Sequence, residues 1–342
     1  MKTLEIADRT LAAGLPPLIV AEVGSNHDGS LERALELIAA AAAAGADAVK
    51  FQTYAAERLV RPGHELHRFF AEYALPREWH ERLRDAAAAA GLLFLSTPFD
   101  PRAADFLAAL GVPALKIASA DLTNLPLLRR CASHGLPLLL STGMASTEEV
   151  ERAVAEARAA GCRGLALLHC VSLYPTPPEK TELSAIPALA ERFGLPVGFS
   201  DHSLSATLPA AAVALGACLV EKHFTLSRSL PGPDHAVALE PDQFAAMAAA
   251  CRETAAALGA AEETPKRITP ELEEVRRASL RGLYAAADIP AGRILEEGMV
   301  ALLRPAGRLG VDELPRLLDR PATRDIRFGE ELMPDMFGGA KR

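Results

Sequence analysis

The stretch ACLVEKHF, residues 217–224, decides the fold. It is an apolar run of strand length that turns abruptly into charge and imidazole at Glu221 and His223, and the Pro-Gly loop SRSLPGPDH follows at 227–235. Seven runs of the same form precede it: LIVAEVG (18–24), DAVKFQT (47–53), LLFLSTP (92–98), ALKIAS (114–119), PLLLST (137–142), LALLHC (165–170) and PVGFSDH (196–202). Helical patterns alternate with them, among them LERALELIAAAAAAG (31–45) and TEEVERAVAEARAAG (147–161), each closing on the glycine that stops a helix. Strand and helix in regular alternation are the sequence form of a parallel sheet, and eight repeats predict a (β/α)8 TIM barrel of about 250 residues. It occupies residues 1–260.

Composition narrows the function. Half of the 342 residues are hydrophobic and 23% are charged, as in a globular protein with a full core. The longest apolar runs stop short of the roughly 20 residues that span a bilayer, and MKTLEIADRT has no signal-peptide core, so a cytoplasmic protein without membrane contact is expected. The net charge of -8 disfavours a nucleic-acid surface but leaves room for a focused anion site. Cys131, Cys162, Cys170, Cys218 and Cys251 stand singly, with no CxxC pair, which argues against both a disulfide framework and a cysteine zinc site. Small molecules are the expected partners.

After residue 260 the text becomes charged and proline-punctuated, and residues 261–278 read as a linker. Residues 279–342 hold short apolar pieces with frequent Gly and Pro and no long helix. They predict a small β-rich domain near the lower size limit for independent stability.

Polar side chains end each apolar run: Glu22, Lys50 and Gln52, Thr97, Lys116 and Ser119, Ser141, His169, Ser200 and His202, and His223. In a (β/α)8 barrel those ends ring the active site. Period-two alternation sets Lys50 with Gln52, and Ser200 with His202, on faces that point inward. An ammonium within a parallel strand loses its hydration, so Lys50 and Lys116 call for an anion, and the nearby hydroxyls suit a phosphate. The alternative is that each lysine snorkels or pairs with a buried carboxylate. His202 and His223 end neighbouring strands and so could share one divalent cation, or each could be a hydrogen-bonded core or capping histidine. Glu22 could orient a water, accept a proton, or pair with Lys50. Tyr174 and Asp234 lie on Pro-rich loops where substrate contacts or mere loop rigidity would place them. Cys170 reads as a packing residue. There is no GxxxxGK[ST] loop and no GxGxxG after the first strand, which argues against a nucleotide cofactor.

Taken in order, the motifs AEVGSNHDG, VKFQT, STPFD, LKIASADLTN, LSTGM, LLHCVSLYPTP, GFSDH, EKHFTL and GPDH resemble the sialic acid synthase family. That family includes N-acetylneuraminate, legionaminate and pseudaminate synthases and relatives in spore-coat polysaccharide synthesis. The C-terminal run SLRGLYAAADIPAGRILEEGMVALLRP is similar to the family's antifreeze-like (SAF, β-clip) domain, so the resemblance covers nearly the whole chain. It implies a metal-dependent condensation of phosphoenolpyruvate with an N-acetylated amino hexose, giving a nine-carbon 3-deoxy-2-ulosonic acid and phosphate. By matching motifs, Lys50, Thr97, Lys116, Ser119, Ser141, Ser172 and Ser200 would hold phosphoenolpyruvate. His202 and His223 would bind manganese, or else magnesium or cobalt. Glu22 would position the attacking water. Gln52, Asp121, Tyr174 and Asp234 would contact the sugar, and Arg304 would reach over a partner's barrel in a domain-swapped homodimer.

Three departures bear on the substrate. The loop that often reads SGE in the family is Ser119-Ala120-Asp121, Ser172 replaces a frequent asparagine, and the usual RPG of the cap is Arg304-Pro305-Ala306. They weaken N-acetylmannosamine as the acceptor while leaving the reaction type intact. Two other readings compete: a synthase acting on a phosphorylated sugar, which would need a second cluster of Arg or Lys, and a non-catalytic carbohydrate-binding protein of a polysaccharide cluster.

Overall fold

A computed structural model describes residues 2–259 and 267–339. The chain divides into two compact units, Met1–Ala261 and Glu262–Arg342. The N-terminal unit opens with a hairpin, β1 (Leu4–Ile6) and β2 (Arg9–Leu11). Eight strands follow: β3 (Leu18–Glu22), β4 (Ala48–Thr53), β5 (Leu93–Pro98), β6 (Leu115–Ile117), β7 (Leu138–Ser141), β8 (Leu165–Cys170), β9 (Val197–Asp201) and β10 (Leu219–His223). They close in chain order into a parallel barrel, with β10 pairing β3. Every predicted run holds one of these strands. The closing register sets His223 opposite Glu22, so the two carboxyl ends finish level.

Alternation sorts the side chains. Leu18, Val20, Ala48, Leu95, Leu139, Ala166, Leu168 and Leu219 fill the barrel interior, and Leu4, Ile6 and Leu11 of the hairpin pack into the same cluster. The hairpin therefore caps the amino-terminal end of the barrel, which leaves the carboxyl end for chemistry. Outward residues such as Ile19, Val49, Phe51, Ile117, Leu140, Leu167, Val197 and Phe199 join the apolar faces of the surrounding helices. Those helices start on side-chain caps: Ser30, Asp100 and Asn124 each accept a first-turn amide, and Ser146 with Glu149 forms a capping box. The β4-to-β5 connection is longer than the others and carries two extra short helices, Ala56–Leu59 and Leu66–Glu72, before the packed helix His80–Ala89.

The outward faces also explain two charged residues. Lys222, fully buried, points away from the barrel axis and pairs with Asp201 at 2.5 Å. His169, read from sequence as part of the polar ring, also turns outward. Its Nε2 bonds the Thr181 carbonyl at 2.7 Å and its ring stacks on Phe199. Period two from inward Cys170 requires that outward turn.

The C-terminal unit has two four-residue antiparallel strands, β11 (Gly282–Ala285) and β12 (Val300–Leu303). Isolated bridges such as Ile289 to Ile326 and Ala322 to Phe337 link its loops. Leu283, Ile289, Leu295, Ile326, Leu332 and Phe337 form its core. The expected linker holds a helix that the sequence reading did not foresee. Residues 261–266 lie outside the described residues, and Pro270–Ser279 is a helix whose N-cap, Thr269, accepts the Leu272 amide. Thr269-Pro270 with Glu271 and Glu273 is a helix-start signal, obscured in the sequence by the charge around it. Among the described residues no helix is long and apolar enough to cross a membrane.

Candidate active site

The inward side chains at the carboxyl ends of the barrel strands line one cavity of about 200 Å³. Glu22, Lys50, Gln52, Thr97, Lys116, Ser119, Ser141, Ser172, Tyr174, Ser200, His202 and His223 all face it, so the barrel brings most of the predicted residues together. Asp121 does not line it. That residue sits in the short turn Ser119–Asp121 that follows β6, accepts a bond from Asn124 at 3.1 Å, and has its carboxyl pKa raised by burial. Asp234 stands beside the cavity rather than in its wall, accepting from the Ser25 amide and hydroxyl at 3.1 and 2.8 Å. Arg304 belongs to the C-terminal unit, exposed, just after β12 and before a cis bond to Pro305.

Lys50 and Lys116 are both buried, and each has a carboxylate. Lys50 contacts Glu22 at 2.5 Å, Glu221 at 3.7 Å and the Thr97 hydroxyl at 3.2 Å, while Lys116 meets Glu221 at 3.1 Å. Ser200 also donates to Glu221, and Gln52 donates to Glu22. Glu221 is the central residue that the sequence reading passed over, although its two-residue spacing from His223 sets it on the inward face. The pairing alternative for the lysines is thus realised in the protein itself, and the four charges cancel.

The pairing splits the two lysines electrostatically. Burial alone lowers an ammonium pKa, but Glu22 and Glu221 together overcome this for Lys50 and raise it. Lys116 is lowered, because burial outweighs the pull of Glu221 and Lys50 adds a like charge. Burial opposes ionisation of Glu221, yet the two ammoniums hold its pKa well below the usual carboxylate range. Nearby, the Ser141 hydroxyl is buried without a partner and the second oxygen of Glu22 accepts no hydrogen bond beyond its ion pair with Lys50. The cavity wall thus carries two ammoniums, each already paired with a carboxylate, and one hydroxyl without a partner.

His202 and His223 lie side by side, their ring centroids 5.5 Å apart. The Val171 carbonyl can only accept, so the 3.0 Å contact fixes the proton on Nδ1 of His202 and leaves a lone pair on Nε2, where the Tyr174 hydroxyl donates at 3.1 Å. Tyr174 stacks on His202 at 4.1 Å, and its phenol pKa is raised by burial. Nδ1 of His223 is buried with no partner. Among the described residues no three His, Cys, Asp or Glu side chains converge as a metal cluster. The partnerless Nδ1 of His223 and the Nε2 of His202, once the Tyr174 hydroxyl gives it up, are the two nitrogens that fit a cation whose other positions stay open to water and substrate.

A larger cavity, about 500 Å³, lies off the β4-to-β5 connection. Two of the arginines that line it are engaged in the fold: Arg58 pairs with Asp100 at 2.9 Å and Arg77 lies over Phe106.

A closed (β/α)8 barrel with paired ammoniums, hydroxyls and two imidazoles at its carboxyl mouth has the form of a barrel enzyme for small molecules. Comparison with known proteins carries this further. The NeuB family model matches residues 37–263, and the chain belongs to that family, the sialic acid synthase family. It is 37% identical to the N,N'-diacetyllegionaminic acid synthase of Legionella pneumophila, over 92% of this chain and 93% of that protein. It is 40% identical to the spore coat polysaccharide biosynthesis protein SpsE of Bacillus subtilis, over 89% and 88%. A solved structure of N-acetylneuraminic acid synthetase from Leptospira borgpetersenii, in complex with citrate, superposes with a TM-score of 0.76 at 35% identity, covering 80% of this chain and 96% of that one. The chain is accordingly an enzyme, a synthase of the sialic acid type, and the non-catalytic reading falls.

Proposed function

We propose that the enzyme condenses phosphoenolpyruvate with the open-chain aldehyde of an N-acetylated amino hexose, adding water and releasing phosphate. The product is a nine-carbon 3-deoxy-2-ulosonic acid. The observation that carries this reading is the convergence of Lys50, Lys116 and the partnerless Ser141 hydroxyl on the same 200 Å³ cavity as His202 and His223. An enol phosphate suits the first group, and a carbonyl acceptor suits the second.

In this reading Lys50, Lys116, Thr97, Ser119, Ser141, Ser172 and Ser200 bind the phosphate and carboxylate of phosphoenolpyruvate. His202 and His223 would hold a divalent cation, with manganese ahead of magnesium or cobalt, whose chemistry when bound is to polarise the aldehyde oxygen. The methylene carbon of the enol attacks that aldehyde and a carbon–carbon bond forms. Positive charge develops at the phosphate-bearing carbon, and Glu22 holds the water that adds there. Phosphate then leaves by C–O cleavage, and donors already in place around it stabilise the departing charge. Gln52, Asp121, Tyr174 and Asp234 contact the sugar. Asp121 lies outside the cavity wall with one carboxylate oxygen bonded to Asn124, and would have to turn toward the sugar. The C-terminal unit, read as an antiparallel cap of the antifreeze-like type, contributes Arg304 to a partner's barrel in a swapped homodimer. The same reading places the reaction in the cytoplasm.

Phosphate release from phosphoenolpyruvate should be measured with N-acetylmannosamine, with diacetamido-trideoxyhexoses and with phosphosugars. Turnover with an acylamino sugar is expected; turnover only with a phosphosugar, or with none, would sink the proposal. Treatment with a chelator should lower the rate at least tenfold, and manganese should restore it, since two imidazoles alone cannot polarise a carbonyl as a divalent ion does. A rate indifferent to chelation would remove the metal role of His202 and His223.

A further inference from the structure

Two loops, 24–30 after β3 and 225–240 after β10, are tied together by a buried relay outside the cavity. The His235 ring, fully buried, touches the Asp28 carboxylate through Nε2 at 3.0 and 3.2 Å and the Thr225 hydroxyl through Nδ1 at 2.6 Å. Asp28 also pairs with Arg33, and Thr225 in turn bonds the Ser227 carbonyl and amide. Asp28 is held at φ +48, a left-handed conformation that a residue other than glycine seldom adopts. A β-carbon on Gly232 would come within 2.6 Å of the His235 ring and 2.8 Å of Asp28, so the loop backbone lies directly over the pair. Nothing in the proposed chemistry uses Asp28, Thr225 or His235.

Their neighbour explains them. Asp234 precedes His235, and its Oδ2 receives both donors of Ser25. A β-carbon on Gly24 would lie 2.7 Å from that oxygen and 3.4 Å from the ring of His223. The carboxylate is therefore held close to the Gly24 backbone, on the side where the His223 ring also lies. We propose that Asp28, His235 and Thr225 form a clamp whose task is to position Asp234 against the cavity for recognition of the acceptor sugar. The sugar half of this statement rests on the function proposed above; the placement of Asp234 does not. Asp28, Thr225 and His235 are thus positioning residues, acting through a side chain that touches substrate.

The Ser25 amide reports on the clamp directly, because its acceptor is Asp234. In His235→Gln and Asp28→Asn, hydrogen exchange at that amide should quicken at least tenfold while the barrel strands stay protected. Asn tolerates a left-handed backbone as Asp does, so Asp28→Asn removes charge without adding strain. The KM for the sugar should rise about 10–100-fold, the scale of loss when the outer partner that orients a metal ligand is removed, with the KM for phosphoenolpyruvate unchanged. Adding His235→Gln to Asp234→Ala should cost little further, and Thr225→Ser, which keeps the hydroxyl, should behave as wild type where Thr225→Val does not. Unchanged Ser25 exchange, or additive losses in the double variant, would overturn the clamp. Faster Ser25 exchange with an unmoved sugar KM would leave the clamp standing and remove Asp234 from the sugar site instead.

Discussion

Lys116→Ala should lower the rate of phosphate release by about 10²–10³-fold, the loss that follows removal of one preorganised donor from a water-excluded site. The argument starts from burial. Lys116 is 4% exposed, and its ammonium faces the cavity with Glu221 as its one carboxylate. Its ordinary pKa is lowered by burial and by Lys50, so the protein holds a cation there at an electrostatic disadvantage. A bound phosphate would relieve that disadvantage, and the relief is greatest as charge accumulates on the leaving oxygen. The effect should therefore fall on kcat as well as on kcat/KM. Lys50→Ala is the useful comparison: Lys50 is already satisfied by Glu22, Glu221 and Thr97. Equal wild-type kinetics in Lys116→Ala would show that the cluster is structural and that phosphate binds elsewhere.

How far this site could be read from the amino-acid sequence depends on whether its signal is local. Strands buried on both faces read as continuous apolar runs, and all eight barrel strands lie within such runs. The three-residue strands Leu4–Ile6 and Arg9–Leu11 are too short to carry any periodicity, so the hairpin that caps the barrel escaped notice. Alternation separates Lys50 and Gln52 from Phe51 without further help. The same rule assigns Glu221 inward and Lys222 outward, and applied strictly it would have found the first and excluded His169. What could not be seen is partnership across long intervals. The lysines were legible as unusual, but Lys116 and Glu221 are 105 residues apart and Asp28 and His235 are 207 apart, and nothing short of the closed barrel joins them. Asp121 is the converse case: only the motif speaks for it, and the turn after β6 bonds its carboxylate to Asn124, a local contact that the sequence did not show.

Glu221→Gln should destabilise the fold by about 3–5 kcal/mol, the usual result of removing one partner from a buried ion pair. Two ammoniums would then share Glu22 alone, in a barrel interior that admits little water. The pH dependence gives the sign. Glu221 has its folded pKa depressed, to about 2 against 4.5 for the free side chain, so its stabilising contribution is fully present above pH 4.5 and is lost as pH falls toward the folded value. The difference in stability between wild type and Glu221→Gln should be largest near neutrality and shrink below pH 4.5; a gap constant down to pH 3 would refute the charge argument. A double variant, Lys116→Met with Glu221→Leu, separates stability from function. Replacing a buried pair by apolar groups of similar size is often neutral or stabilising by about 1–4 kcal/mol, so this protein should melt no lower than wild type. It should nevertheless release no phosphate. That combination would mean the ion pair is kept because the anion-binding step needs Lys116, with Glu221 present to hold the ammonium charged and aimed until the substrate takes over as its counter-ion.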